Sequence, residues 1–512
     1  MVTSAQSTTD TPDLDAGPRR PIPEDWLPIG AAVLGFALAM LFRTGSVEFC
    51  LDDAWIHLAY ADNLRNGYGF SYNPGDWETG SSSPLWVLLL AAWPVSHAPV
   101  WQVQLLGALL HGVTAFCGGR LAIDLARQRA TVQRPVPLVS LTALAGLLVA
   151  CWPPLLQGAV SGMEVPLTSA IILGTIVAAL ESRHVTAACL ATLAAWARPE
   201  AAVTVAVFGG WLALTRRRVP AAGLVLGPIV GTATWMFWCH TISGYAWPNT
   251  RYVKATGGGL DGLRYVRDEL LIWEPWLVSL SGVILLALAI HSSWRAGQRE
   301  VAGLLFAWAA TILVVAFSRQ LHVGVQFYER RYFLIVSALP LVAMTMTLIT
   351  RRRVVVALLW LPLGAAIGIQ SASLHRATRN QEKDIHRLHR QPALYVRAQL
   401  PARAIIGVEG AGAIRYFAPR SMTIIDLVGL NDREIAHAES SRDRVCRLLE
   451  KHPTHLVLPD NVVPRLERVF DLRTLQRFED PAYHQVHPPH PVSVRVFAID
   501  GVKPAWTGRC PI

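Results

Sequence analysis

Charge is what this chain has least of. Only 16% of its 512 residues are Asp, Glu, Lys or Arg, where a soluble protein carries roughly 25%. Hydrophobic residues make up 52% and the mean hydropathy is +0.34. The apolar residues gather in long runs between Trp26 and Gln370, as bilayer spans require. That pattern excludes a soluble enzyme, a disordered chain and a protein held by a single anchor. Lysine is nearly absent: Lys254, Lys383, Lys451 and Lys503 are the only four among 46 basic residues. The formal charge of +10 is therefore an arginine charge, much of it at the ends of apolar runs, where it sets topology. No basic stripe with interleaved aromatics is present, so nucleic acid is not expected as a partner. The seven cysteines (Cys50, Cys117, Cys151, Cys189, Cys239, Cys446 and Cys510) contain no CxxC pair and no metal-ligand spacing. No internal repeat is visible, and no cleavable signal peptide precedes the first apolar run.

What is there divides into three parts: a disordered cytoplasmic tail (1–26), a membrane domain (27–371) and a soluble domain (372–512). The membrane domain reads as eleven spans: 27–43, 102–126, 136–155, 165–181, 184–197, 200–214, 219–239, 271–291, 301–317, 332–350 and 353–371. The fifth and sixth are kept apart because one fused helix would bury Arg198-Pro199-Glu200 in mid-membrane. Eleven spans put the clusters Arg19/Arg20, Arg127/Arg129/Arg134, Arg183, Arg216 to Arg218, Arg295/Arg299 and Arg351 to Arg353 on the cytoplasmic side, as the positive-inside rule requires. The apolar stretch 84–97 would reverse that parity as a twelfth span, so it is expected to lie at the outer surface or to re-enter. The loops that carry unusual polar sequence, with the first outer loop 44–101 foremost, then share the outer face with the C-terminal domain.

In that domain Ala404 to Val408, Thr423 to Leu427 and His455 to Leu458 read as buried strands, and 441–451 as a helix. Strands alternating with helices predict a small α/β domain with a parallel sheet. Gly407, Gly410 and Gly412 do not follow a dinucleotide-binding spacing. Cys446 and Cys510 both fall where disulfides persist, and are the pair that would form one.

The first outer loop opens with Asp52-Asp53 immediately after the first span. One of these carboxylates is explained as a helix N-cap. The other is the natural general base for an acceptor hydroxyl, and the pair together could hold a divalent cation such as Mg, Mn or Ca. Next come an aromatic, turn-rich segment around Tyr68 and the Glu78-Thr79-Gly80-Ser81-Ser82-Ser83 run; an ordered loop is the plain reading, a sugar-binding wall the functional one. Further outward motifs hold Glu164, Arg198, Asn249, Arg251, Lys254, Arg330 and Arg331. Each alone is a span-end anchor or an interfacial belt. Together they set positive charge on the outer face, against its usual siting, and so call for an anion; a lipid-linked phosphate gripped by arginine would supply it.

The ordered set DDAWIHLAYADNLRNGYGFSYNPG, ETGSSSPLW, SGMEVPL, ARPE, PNTRYVK, YERRY and IDLVGLNDREIA resembles the GT-C glycosyltransferases that use polyprenyl-phosphate sugars. Within them it is most similar to the cell-wall arabinofuranosyltransferases that add terminal β-1,2 residues. The resemblance implies a polytopic α-helical, GT-C-like fold with a C-terminal α/β domain, and an inverting transfer onto an envelope glycan or glycolipid at the outer face of the plasma membrane. It implies Asp53 or Asp52 as base or metal ligand, and Arg198, Lys254, Arg330 or Arg331, with Arg251, at the donor phosphate. His57, Tyr68, Glu78, Glu164 and Asn249 complete the expected substrate loop. The arabinofuranosyltransferase pattern is not complete: the HVGVQFYERRYF segment holds only His322. Two other classes fit the composition: a transporter or flippase of lipid-linked sugars, which would place ionisable groups near the membrane midplane, and a non-catalytic envelope-assembly protein in which the Asp pair is a cap. His111 and Asp124 are the chief ionisable residues inside the spans.

Overall fold

The computed structural model describes residues 26–95, 99–130, 138–215, 218–254, 259–270, 280–295, 297, 299–325, 327–346, 353–506 and 510. Helices occupy all eleven expected segments wherever these are described: α1 (Trp26–Phe42), α4 (Pro99–Ala130), α5 (Leu138–Cys151) with α6 (Pro153–Val160), α7 (Val165–Leu180), α8 (His184–Ala197), α9 (Pro199–Leu214), α10 (Arg218–Ser243), α13 (Leu280–Arg295), α14 (Arg299–Ser318), α15 (Phe327–Leu334) with α16 (Ala338–Thr345), and α17 (Arg353–Ile385). Parts of three expected spans, 136–137, 271–279 and 347–350, lie outside the described residues. Four described segments, 99–127, 219–243, 299–318 and 358–399, are long and apolar enough to cross a bilayer on length and composition alone. Four more apolar helices (α1, α7, α8 and α9) are shorter.

Two expected spans are broken helices. The third bends at Trp152, where Pro153 and Pro154 restart the chain as α6; proline belongs in a first helical turn, not an interior. The tenth is interrupted between Leu334 and Ala338. The stretch 84–97 holds α3 (Pro84–Ala92), nine residues and so only about 14 Å, too short for a hydrocarbon core of about 30 Å. Close crossings use small residues, as membrane helices do: a Cβ on Gly107 of α4 would stand 2.0 Å from the Ala159 carbonyl oxygen of α6. The two ionisable groups inside α4 have structural surroundings. His111 Nε2 lies 3.0 Å from the Ala150 carbonyl oxygen, and Asp124 lies by the Arg120–Glu181 ion pair.

α17 bridges the expected domain boundary. It runs unbroken across 371–372 to Ile385 and continues through a π turn (His386–Arg390) into α18 (Gln391–Gln399). The sheet begins only at β1 (Ile405–Val408), followed by α19 (Ala411–Phe417), β2 (Thr423–Asp426), α20 (Arg433–Ala436), α21 (Ser441–Glu450), β3 (His455–Pro459), α22 (Val463–Leu466), β4 (Phe470–Tyr483) and β5 (His490–Val502). The strand order is β2-β1-β3-β5-β4. β1 pairs in parallel with β2 and β3, while β5 is antiparallel to β3 and β4. The sheet is therefore mixed, not parallel: the hairpin β4–β5 carries too many charged and polar residues to read as buried strands. Cys446 of α21 and Cys510 are disulfide-bonded, with Cα atoms 5.4 Å apart.

Candidate active site

α2 (Asp53–Arg65) starts directly at the acidic pair, and the chain after it folds back on itself. Asn63 Nδ2 donates to the carbonyls of Ser71 and Tyr72, and the Gly80 amide donates to Tyr60 Oη. The first outer loop thus forms a packed lobe with Asp52 and Asp53 at one end.

The two carboxylates have different employments. Asp52 occupies the N-cap position of α2 in helical conformation, but its side chain does not cap that helix. It reaches into the C-terminal domain instead. Its two oxygens accept the Gly412 and Ala413 amides at 2.7 and 2.8 Å, and His389 Nδ1 lies 3.4 Å away. A Cβ on Gly412 would stand 2.0 Å from the Asp52 carbonyl oxygen. The glycines here serve close docking of two chain segments. Asp53 faces the other way and accepts from Arg331 Nη2 at 2.6 Å. Burial alone would raise its carboxyl, but Arg331 and then Lys254 outweigh that and hold it at about 2.

Around Asp53 the structure gathers residues from five segments that the sequence reading expects on the outer face. Lys254, ending α11 (Asn249–Lys254), donates to Tyr328 Oη at 2.8 Å. Burial would lower its pKa, yet Tyr328, Tyr332 and Asp53 raise it, so the ammonium stays charged. Arg198 is 1% exposed; it ion-pairs with Glu164 and donates from Nε to Glu200 at 3.0 Å. Arg319 pairs with Glu200 and lies 3.9 Å over the Tyr332 ring. His57 sits 3.3 Å from Ser81 Oγ and 3.5 Å from Glu164, and burial holds its pKa down at about 3, so the ring is neutral. Arg198, Lys254, Arg319 and Arg331 thus face three carboxylates, Asp53, Glu164 and Glu200, leaving positive charge in excess. Arg331 is buried, and neither its Nε nor its Nη1 has a hydrogen-bond partner among the described residues. A buried guanidinium with idle donors is costly unless a ligand completes it.

Two cavities meet here. The smaller, about 30 Å³, is lined by Asp53, His57, Ser81, Glu164, Lys254 and Arg331; that is room for about one water. The larger, about 360 Å³, lies between α9, α10, α11 and α14, with Trp235, Trp247, Val203 and Val314 as apolar walls and Arg251, Lys254 and Arg319 as cations. Ser82, Thr250 and Lys254 line both.

Other expected residues fall elsewhere. Arg330 points away from Asp53 and donates to Gln157 at 2.6 Å. Arg251 bonds the Ser318 carbonyl at the mouth of the larger cavity. Glu78 and Asn249 form a clasp: Asn249 Nδ2 donates to Glu78 at 2.9 Å, and Arg433 Nε binds the same carboxylate at 2.8 Å. Tyr68 lies at the loop surface beneath Arg420. The pair Asp52–Asp53 does not suit a divalent cation, since Asp52 is engaged by two amides and Asp53 by a guanidinium with an ammonium nearby. No group of three His, Cys, Asp or Glu able to hold a metal occurs among the described residues. Sequence reasoning missed Arg319, although it stands at the outer end of an apolar run as the others do, and it missed Tyr328 and Tyr332, whose role depends on packing.

Solved structures share this architecture. ArnT from Cupriavidus metallidurans bound to undecaprenyl phosphate aligns over 92% of this chain and 97% of its own, with a TM-score of 0.53 and 12% identity. The fold is similar to that of ArnT. The apo form of the same protein aligns over the same shares at a TM-score of 0.51 and 13% identity. The likeness is one of fold and does not reach the arabinofuranosyltransferase subtype. A family model described as a domain of unknown function, DUF8728, matches residues 375–497, from within α17 to β5. No curated protein matches the chain.

Proposed function

We propose that this protein is a membrane glycosyltransferase that takes a sugar from a polyprenyl-phosphate donor and transfers it, with inversion, to an envelope glycan or glycolipid at the outer face. The observation that carries the reading is Lys254. One ammonium lines both the aromatic–aliphatic cavity, suited to an isoprenoid phosphate, and the small polar cavity that holds Asp53. The ArnT-like fold supports it, since the ArnT of the solved complex binds undecaprenyl phosphate.

In this reading the acceptor hydroxyl attacks the anomeric carbon while the bond from that carbon to the phosphate oxygen breaks. The electron pair leaves on the phosphate, where Lys254, Arg319 and the idle donors of Arg331 receive it. The proton of the attacking oxygen passes to Asp53. A carboxylate held down at about 2 is a weak base, but the attacking oxygen becomes strongly acidic as it bonds to carbon, so a weak base suffices. Arabinofuranose is the sugar the sequence motifs favour. Few ionisable groups and no repeat weigh against a transporter.

The test is binding of undecaprenyl phosphate to purified protein, followed by transfer from a panel of polyprenyl-phosphate sugars. Lys254→Met and Arg319→Met should each weaken lipid-phosphate binding by about tenfold or more, the worth of one hydrogen bond to a charged group. Unchanged binding in both would overturn the donor assignment.

A further inference from the structure

Another cavity among the described residues lies outside the site just described. It measures about 1110 Å³, beyond the roughly 300–1,000 Å³ typical of small-molecule sites. Its floor is Glu409 and Gly410, directly after β1, with Pro459 to Asn461 at the end of β3. The chain leaves β1 toward β2 on one side, while β3 continues toward β4 and β5 on the other. The cleft is thus the crevice outside the carboxyl ends of two parallel strands at a topological switch point, where open α/β sheets bind ligands.

The cleft's chemistry differs from the donor cavity's. Glu409, Asp460, Glu479 and Asp480 line it with Arg477, which pairs with Asp460 and Glu479; Arg495 also pairs with Asp460 and Arg387 with Asp480, so the charges nearly balance. Asp480 is 1% exposed; its Oδ1 accepts from Arg387 and the Ala482 amide, while Oδ2 has no partner among the described residues. Glu409 Oε2 is likewise buried without a partner. Idle buried acceptors require donors, which an anion does not supply and a hydroxyl does. Tyr483 and the prolines at 459, 481 and 491 add flat apolar surface. Acceptors that want hydroxyl donors, beside surfaces that take C–H faces, match a neutral sugar chain.

The cleft reaches the chain segment that carries the acidic pair. His389 lines it and stands 3.4 Å from Asp52, the residue before Asp53.

We propose that this cleft is the acceptor site and that it takes an uncharged oligosaccharide. The proposal rests on the glycosyltransferase reading for its role, but its ligand class stands on the cleft alone. The experiment uses the full-length protein in nanodiscs and measures binding of a neutral arabinan oligosaccharide, an oligogalacturonide of equal length, spermine and, separately, undecaprenyl phosphate. The expected result is saturable binding of the neutral oligosaccharide only, weakened at least about tenfold in Glu409→Gln, the worth of one hydrogen bond to a charged group. Asn461→Trp, which fills the exposed rim without entering the core, should abolish it. Both variants should bind undecaprenyl phosphate as the wild type does. Preference for the oligogalacturonide or spermine overturns the proposal, as does neutral binding that survives Asn461→Trp. Lipid-phosphate binding with no saccharide binding overturns it while leaving the donor reading intact. Saccharide binding without lipid-phosphate binding keeps the cleft as a sugar site and removes the donor reading.

Discussion

Asp52 and Asp53 are adjacent in sequence and unlike in consequence. Replacing Asp53 by Asn keeps its size but removes the proton acceptor, so transfer should fall by about 10²–10⁴-fold with the protein still folded. Asp52→Asn is expected to act on stability instead. An amide offers one acceptor oxygen where the carboxylate offers two, so one of the Gly412 and Ala413 bonds is lost, at a cost of about 1–3 kcal/mol. Added divalent metal should not restore it. Thermal melts beside turnover separate the two, and a stable but inactive Asp52→Asn protein would return that residue to the chemistry. The ion pair with Arg331 makes a further prediction about pH. Because the folded pKa of Asp53 is depressed, its contribution to stability is present above the unfolded value of about 3.9 and is lost as pH falls through about 2. His57 is neutral, so His57→Gln should leave the shape of the pH–rate profile unchanged. In Arg331→Gln the chief counter-charge is gone, burial raises the Asp53 carboxyl, and an acid limb should enter the profile. No change in the Arg331 variant would count against Asp53 as the base.

Among the elements, α3 bears most on the proposed topology. If α3 does not cross, the residues on either side of it share one face of the membrane, and the proposed orientation follows. In a Cys189→Ser background, Glu439→Cys should label from outside in intact cells and Arg183→Cys only after permeabilisation; the reverse pattern defeats the orientation. The apolar helices were legible because hydropathy is a local signal. The three parallel strands were legible for the same reason, as short apolar runs between turn formers. β4 and β5 were not: Phe470–Tyr483 is largely exposed or half-exposed along its length, and its pairing is visible only through its partner. The site shows the same division. Arg331, Lys254 and Asp53 were suspected from charge on an unexpected face, but no sequence pattern separates Arg331 from its neighbour Arg330. Only the helical rotation of α15 does that, turning one toward Asp53 and the other toward Gln157.

For the whole molecule, the C-terminal domain is a working wall of the site. Arg433 holds Glu78 and Asp76, Asp52 holds α19, and Arg390 pairs with Glu48 ahead of the acidic pair. Loosening that domain should therefore be felt at Asp53. The Cys446–Cys510 bond spans 64 residues of sequence, a loop whose closure is worth about 4 kcal/mol of unfolded-state entropy. Reduction, or Cys446→Ser with Cys510→Ser, should lower the melting temperature of the domain by several degrees. An unchanged melt, with two thiols free in the untreated protein, would show that the bond does not form.

The unbroken helix α17 gives this arrangement a mechanical character. Its 33 residues extend for roughly 50 Å, with Pro362 inside the helix and the π turn His386–Arg390 between it and α18, against a hydrocarbon core of about 30 Å. The strut acts as a caliper: it sets how high the sheet and its cleft stand above the lipid, and at what angle they turn. Each residue added to such a strut would lift its load by about 1.5 Å and swing it through about 100°. Both the reach of the protein into the envelope and the direction from which a polymer must approach are therefore written into the length of one helix.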